Sequence, residues 1–142
     1  MHAKERYTSS STDRRDSVRR LRWVLATLTT VPFSNAMAQI ALGPQVVPGG
    51  ASDVTPSLDS AFRYASAYMG AVGPAVWSQL PRIHKRSAVL TWALSAIFLG
   101  GLARVRSWQE RGRPHPILIA ATAIEIVASP ILLAWHRRIA SR

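Results

Sequence analysis

Glu125 is the acidic residue that lies deep within an apolar run, Ile117-Leu118-Ile119-Ala120-Ala121-Thr122-Ala123-Ile124-Glu125-Ile126-Val127. At 1.5 Å per helical residue it sits about 13 Å below the start of that run, close to the centre of a bilayer if the run spans one. A carboxylate at such a depth costs several kcal/mol unless it is paired or protonated. Two arginines are placed to compensate it: Arg63, about one turn into an earlier apolar segment, and Arg104, near the end of the next. Helices of alternating direction would bring all three toward one half of a bundle. Such an Arg–Glu–Arg cluster has two uses: it binds an anion, a proton or a small polar ligand, or it is an ion pair that fixes helix packing and register. Asn35 and Gln39, one turn apart on the first apolar segment, are candidates to add hydrogen bonds to it.

The remaining residue types restrict the chemistry. The chain has no cysteine, which excludes disulfides, thiolate catalysis and iron–sulfur ligation. His84, His115 and His136 fall at loop or helix-end positions and read as solvent-exposed interfacial residues. No two of them have metal-site spacing, and none supports a bis-histidine haem, so neither metal nor cofactor is expected. Gly112 and Gly49-Gly50 are loop glycines outside any phosphate-cradling motif. A lone carboxylate with no His, Cys or Asp at its depth lacks a second player for acid–base catalysis. No catalytic residue is assigned.

The elements that must position these residues are helices. The 142-residue chain is one domain's worth of material, 48% hydrophobic, with 18 basic against 7 acidic residues and a net charge of +11. The basic residues flank apolar segments and do not mark one face of a folded domain, which is the membrane pattern and argues against a nucleic-acid partner. Residues 1–22 are rich in Ser, Thr, Arg and Asp and read as a disordered, basic cytoplasmic tail able to touch anionic headgroups. Residues 23–138 read as an all-α, four-helix transmembrane bundle with spans at about 23–42, 60–80, 87–105 and 117–135. Gly43-Pro44 and Pro48-Gly49-Gly50 end the first span. The second carries a small-residue face, Arg63, Ala67, Gly70 and Pro74 with Ser66 and Gly73 beside it, and Gly100-Gly101 offer a close approach on the third. Trp23, Trp77, Trp92, Trp108 and Trp135 fall mostly near span ends, as interfacial aromatics do.

Basic residues orient the spans. Seven lie in the N-terminal tail, three in the Pro81–Arg86 loop and three after the last span, against four (Arg104, Arg106, Arg111 and Arg113) near the opposite face. Thirteen against four places both termini and the middle loop in the cytoplasm, and the chain in the cell (cytoplasmic) membrane. The Ala- and Arg-rich composition points to a bacterial source. A competing reading takes Ala36-Met37-Ala38-Gln39 as a signal-peptide cleavage site behind Arg19-Arg20. The long polar leader, Pro32 and three later spans favour a retained first span.

The ordered set of features resembles the bacterial domain-of-unknown-function 4345 family of small four-span membrane proteins. The matching elements are Pro48-Gly49-Gly50, Leu58-Asp59-Ser60-Ala61-Phe62-Arg63-Tyr64, Phe98-Leu99-Gly100-Gly101-Leu102-Ala103-Arg104, Ser107, Gly112-Arg113-Pro114-His115-Pro116 and Glu125, spread over residues 22 to 138. The resemblance implies an intact first span and places Arg63, Arg104 and Glu125 in a shared pattern. It implies no activity.

Three functional classes follow. The first is a non-enzymatic binding or accessory membrane protein whose partners are the bilayer and either a second copy or another membrane protein. The second is a small-solute or proton-coupled transporter, which would have to be oligomeric because four spans enclose little room. Small multidrug transporters also carry one intramembrane glutamate, but on their first helix, so the analogy stays at the level of the fold. The third, an intramembrane enzyme, has the least support.

Overall fold

The chain forms four long helices and two single turns of 3₁₀ helix: α1 (His2–Leu42), α2 (Pro56–Gln79), α3 (Ala88–Arg111) and α4 (Pro116–Ala140), with the 3₁₀ turns at Pro44–Val46 and Leu80–Arg82. The computed structural model describes residues 2–50 and 53–141, and side chains from Arg14 onward. Helices α2, α3 and α4 start where local chemistry satisfies free N–H groups. Thr55 accepts from Leu58 N at 3.3 Å ahead of Pro56, and Ser87 accepts from Leu90 N at 3.1 Å. The His115 ring accepts from Ile117 N at 3.3 Å ahead of Pro116. Gly43 and Gly112, at φ 84° and 90°, take backbone conformations open to glycine and end α1 and α3.

Helix ends run past several limits set by hydropathy. α3 continues to Arg111, beyond the boundary expected at 105, because Arg106, Gln109, Glu110 and Arg111 are good helix formers. An i, i+4 pair from Arg106 Nε to Glu110 at 2.7 Å supports the added turns. Arg104 therefore lies within the helix and not at its edge. α1 likewise runs through the boundary expected at residue 22. Over Arg14–Arg22 it is helical and in contact with the bundle, since Leu21 is fully buried and Val18 packs on the core. The side chains of the preceding part of the expected tail lie outside the described residues.

α1 packs against α2 and α3 against α4, so the architecture is two antiparallel hairpins with slighter contact between them. Small residues set the α1–α2 spacing. A Cβ on Gly70 would fall 2.7 Å from Met37 Cε, and one on Gly73 would fall 3.0 Å from Phe33 Cβ. The buried stripe is Ser66, Gly70, Gly73 and Val76, rotated from the expected face, for Ala67 and Pro74 are exposed. Phe33 meets Trp77 edge-on at 4.9 Å, and Trp77 Nε1 donates to Thr29 Oγ1 at 2.8 Å.

The apolar core gathers at one end of the bundle. Leu21, Leu25, Val76, Ile83, Leu90, Leu94, Leu132 and Ile139 are buried there, around the α2–α3 connection. At this Ile83 end a hydrogen bond from Trp135 Nε1 to Ser17 Oγ at 3.0 Å ties the two hairpins, and Arg22 Nη2 donates to Pro81 O of the α2–α3 connection at 3.0 Å. His136 departs from its expected exposure. It is buried, with Nε2 3.1 Å from the Lys85 carbonyl, because α4 continues to Ala140 and carries it into the core; His84 and His115 are exposed.

Two helices, α3 and α4, are long and apolar enough to cross a membrane by length and composition. α2 falls short because Asp59, Arg63, Pro74 and Gln79 lie along it, and α1 because Thr29, Thr30, Pro32, Asn35 and Gln39 interrupt its apolar stretch.

Candidate functional site

Glu125 and Arg104 meet across the α3–α4 interface, with Arg104 Nη2 3.5 Å from Glu125 Oε1. Their depths match. Glu125 lies nine residues after the α4 start at Pro116, and Arg104 lies seven before the α3 end at Arg111, or roughly 13 and 10 Å from the turn that joins the helices. Gly101 lets the pair form. A Cβ there would fall 2.8 Å from Ile126 Cγ1 and 3.3 Å from Glu125 Cβ, so the missing side chain brings the α4 backbone bearing Glu125 against α3. Gly100, its neighbour in sequence, has open space at the same position and plays no part in the approach.

The pair is incompletely satisfied. Glu125 Oε2 is buried and has no hydrogen-bond partner among the described residues, while Oε1 has the arginine at ion-pair distance. A carboxylate accepts at two oxygens, so this site has capacity for one further donor. Thr122, one turn earlier on α4, is buried, but its hydroxyl donates to Leu118 O at 2.8 Å.

Arg63 is engaged elsewhere. Its Nε donates to Asp59 Oδ2 at 2.8 Å, and Nη1 donates to the carbonyls of Ile40 and, at 3.1 Å, Ala41. These carbonyls end α1 and have no intrahelical partner, so the guanidinium acts as the C-cap of one helix while being held by an acid on its own. Gly43 is required at this junction, for a Cβ would lie 2.7 Å from Asp59 Oδ1 and 2.8 Å from Arg63 Nη2. Arg63 and Glu125 form no ion pair among the described residues.

The five residues singled out in the sequence thus divide. Arg104 and Glu125 come together, Arg63 joins a second polar junction, and Asn35 is exposed on α1. Gln39, by contrast, reaches α2, where its Oε1 accepts from Ser66 Oγ at 2.9 Å. Asp59 is the partner that sequence reasoning passed over. Its signal was present, as an acid four residues ahead of an arginine is the favourable helical spacing.

Residues 20–136 match the family model described as a domain of unknown function (DUF4345), and the chain belongs to that family. No curated protein and no solved structure matches it.

Proposed function

We propose that this DUF4345 member is a non-enzymatic integral membrane protein of the bacterial cytoplasmic membrane. All four helices cross the bilayer, and the Arg104–Glu125 pair forms a polar binding site within it. The observation that carries this reading is where apolar side chains remain uncovered. Trp23, Val31 and Leu42 on α1, Leu58 and Tyr64 on α2, Trp92 and Leu99 on α3, and Ile124, Val127 and Ile131 on α4 are each more than half exposed. A water-soluble monomer does not leave every helix with such a surface, whereas lipid is a matching solvent for it. Trp23, Trp77, Trp92 and Trp135 all stand within about two turns of the Ile83 end, which is the depth expected of an interfacial aromatic belt. That end also carries Arg82, Lys85, Arg86, Arg137 and Arg138, so the positive-inside rule makes it the cytoplasmic one. In this placement Glu125 lies near mid-membrane. Its neighbour there is Arg104, and a paired carboxylate with one unpartnered oxygen has the make-up of a binding site.

Topology reporters test the reading. Fusions at Gly49 and Gly112 should report an external position, and fusions after Lys85 and at the C-terminus a cytoplasmic one. If only α3 and α4 crossed, Gly49 would report the same side as Lys85, and the four-span reading would fall.

The unpartnered Glu125 oxygen favours a second reading, a small-solute or proton-coupled transporter acting as an oligomer. That reading requires a stable dimer in detergent and in lipid. A strictly monomeric chain would remove it, since four helices alone enclose no path for a solute.

A further inference from the structure

The α1 and α4 helices touch less than the helices within either hairpin, and an apolar groove of about 480 Å³ runs between them. Val24 and Leu28 form its α1 wall, and Ile124, Val127, Ile131 and Trp135 its α4 wall. From Ile124 to Trp135 the groove measures about 16 Å at 1.5 Å per residue, close to half of a hydrocarbon core roughly 30 Å thick. It therefore spans one leaflet, from mid-membrane to the Ile83 end. Exposed arginines stand at the Ile83 end of both walls. Arg20 lies one turn before Val24 on α1, three residues after the Ser17 that holds Trp135, and Arg138 lies one turn after Trp135 on α4. Neither is in an ion pair among the described residues, whereas the nearby Arg19 is bound to Asp16 at 3.2 Å.

From this arrangement we infer that the groove holds an acyl chain of an anionic phospholipid of the cytoplasmic leaflet, with the headgroup phosphate between Arg20 and Arg138. The inference rests on the membrane reading given above. Length, apolar lining and a basic mouth at headgroup depth together match a lipid, because the groove supplies apolar contact and the mouth supplies charge complementarity. A second copy of the chain fits the same face poorly. A two-fold interface would set the Arg20 and Arg138 of one copy against those of the other, a like-charge juxtaposition that costs binding energy.

Intact-complex mass spectrometry of the full chain in a neutral detergent provides the test, with titrations of dioleoylphosphatidylglycerol and dioleoylphosphatidylcholine. One phosphatidylglycerol should bind per chain, at least about fivefold more tightly than phosphatidylcholine. Arg20→Gln and Arg138→Gln should each weaken phosphatidylglycerol by about fivefold, corresponding to about 1 kcal/mol per basic residue at a membrane surface. Each should weaken phosphatidylcholine less, because its own ammonium already balances the phosphate that the arginines meet. Arg82→Gln, an exposed charge at the same end but away from the groove, should change neither lipid, and Val127→Trp should lower the occupancy of both. Equal affinity for the two headgroups, or an Arg82→Gln loss equal to that of Arg20→Gln, would overturn the inference, as would a dimer that Val127→Trp dissolves. Extraction of membranes with alkaline carbonate separates the two levels of the argument. Release of the chain would remove the membrane reading and the lipid site with it, whereas an integral chain that binds no phosphatidylglycerol overturns the lipid site alone.

Discussion

In the α1–α2 hairpin, Arg63 donates to two backbone carbonyls that end α1 and to Asp59 one turn away on its own helix. In the α3–α4 hairpin, Arg104 faces a carboxylate on the neighbouring helix, and one oxygen of that carboxylate remains without a partner. Both arginines sit where the chain leaves the leucine core of the Ile83 end and holds its helices together by small residues. The difference between them separates architecture from availability. Arg63 closes a helix terminus with contacts fixed by the fold, so it has little left to offer a ligand. The Arg104–Glu125 pair is a long contact between two helices, with acceptor capacity in reserve.

The largest expected effect follows from breaking the second junction. Arg104→Gln removes the ion-pair partner of Glu125 and, with the pair inside the membrane as proposed, should cost about 3–5 kcal/mol, as removal of one partner of a buried ion pair typically does. Unfolding in mixed detergent micelles would show it. Arg63→Gln should cost less, about 1–3 kcal/mol, because what it uncovers is a set of backbone carbonyls and an acid in the first turn of its own helix. Equal losses, or a larger loss for Arg63→Gln, would erase the distinction between the two hairpins.

Glycine substitutions sharpen the comparison at smaller magnitudes. Gly43→Ala combines a φ of 84° with a Cβ placed 2.7 Å from Asp59 Oδ1. It should cost about 1–3 kcal/mol in the same unfolding assay, the range for a residue forced into a disfavoured backbone region. Gly101→Ala pushes Ile126 and Glu125 from α3 and should destabilise by about 1–3 kcal/mol through overpacking. Gly100→Ala meets open space and should be neutral or stabilising by about 0.5–1 kcal/mol, the usual gain of alanine over glycine within a helix. If the two adjacent substitutions behaved alike, Gly101 would not be what admits Glu125. Trp77→Phe keeps a ring against Phe33 but loses the hydrogen bond to Thr29 and should cost about 0.5–1.5 kcal/mol.

Much of this arrangement was legible in the residues, and the exceptions have physical causes. Helix number and order follow from apolar runs separated by Gly43-Pro44, Pro81 and Gly112-Arg113-Pro114, since breakers and hydropathy act locally. The end of α3 was not legible from hydropathy, because Arg106 through Arg111 are polar residues that favour helix. Depth along a helix was readable, so Arg104 and Glu125 could be matched; rotation about the axis was not, so Arg63 was assigned to the same cluster. Rotation depends on which small residues take the contact face, and Ser66, Gly70 and Gly73 do so instead of Ala67 and Pro74. His136 misled for a related reason: its position near a chain end suggested exposure, while the extension of α4 to Ala140 carries it into the core.

The central claim, that Arg104 and not Arg63 shares a site with Glu125, is tested most directly by a pair of double-mutant cycles in detergent. One combines Arg104→Gln with Glu125→Gln, and the other combines Arg63→Gln with Glu125→Gln. The first should show a coupling of about 1–3 kcal/mol, with the double variant recovering part of the single losses, as residues in contact do. The second should be additive within about 0.5 kcal/mol, as expected of residues that share no partner. Additivity in the first cycle, or equal coupling in both, would contradict the account.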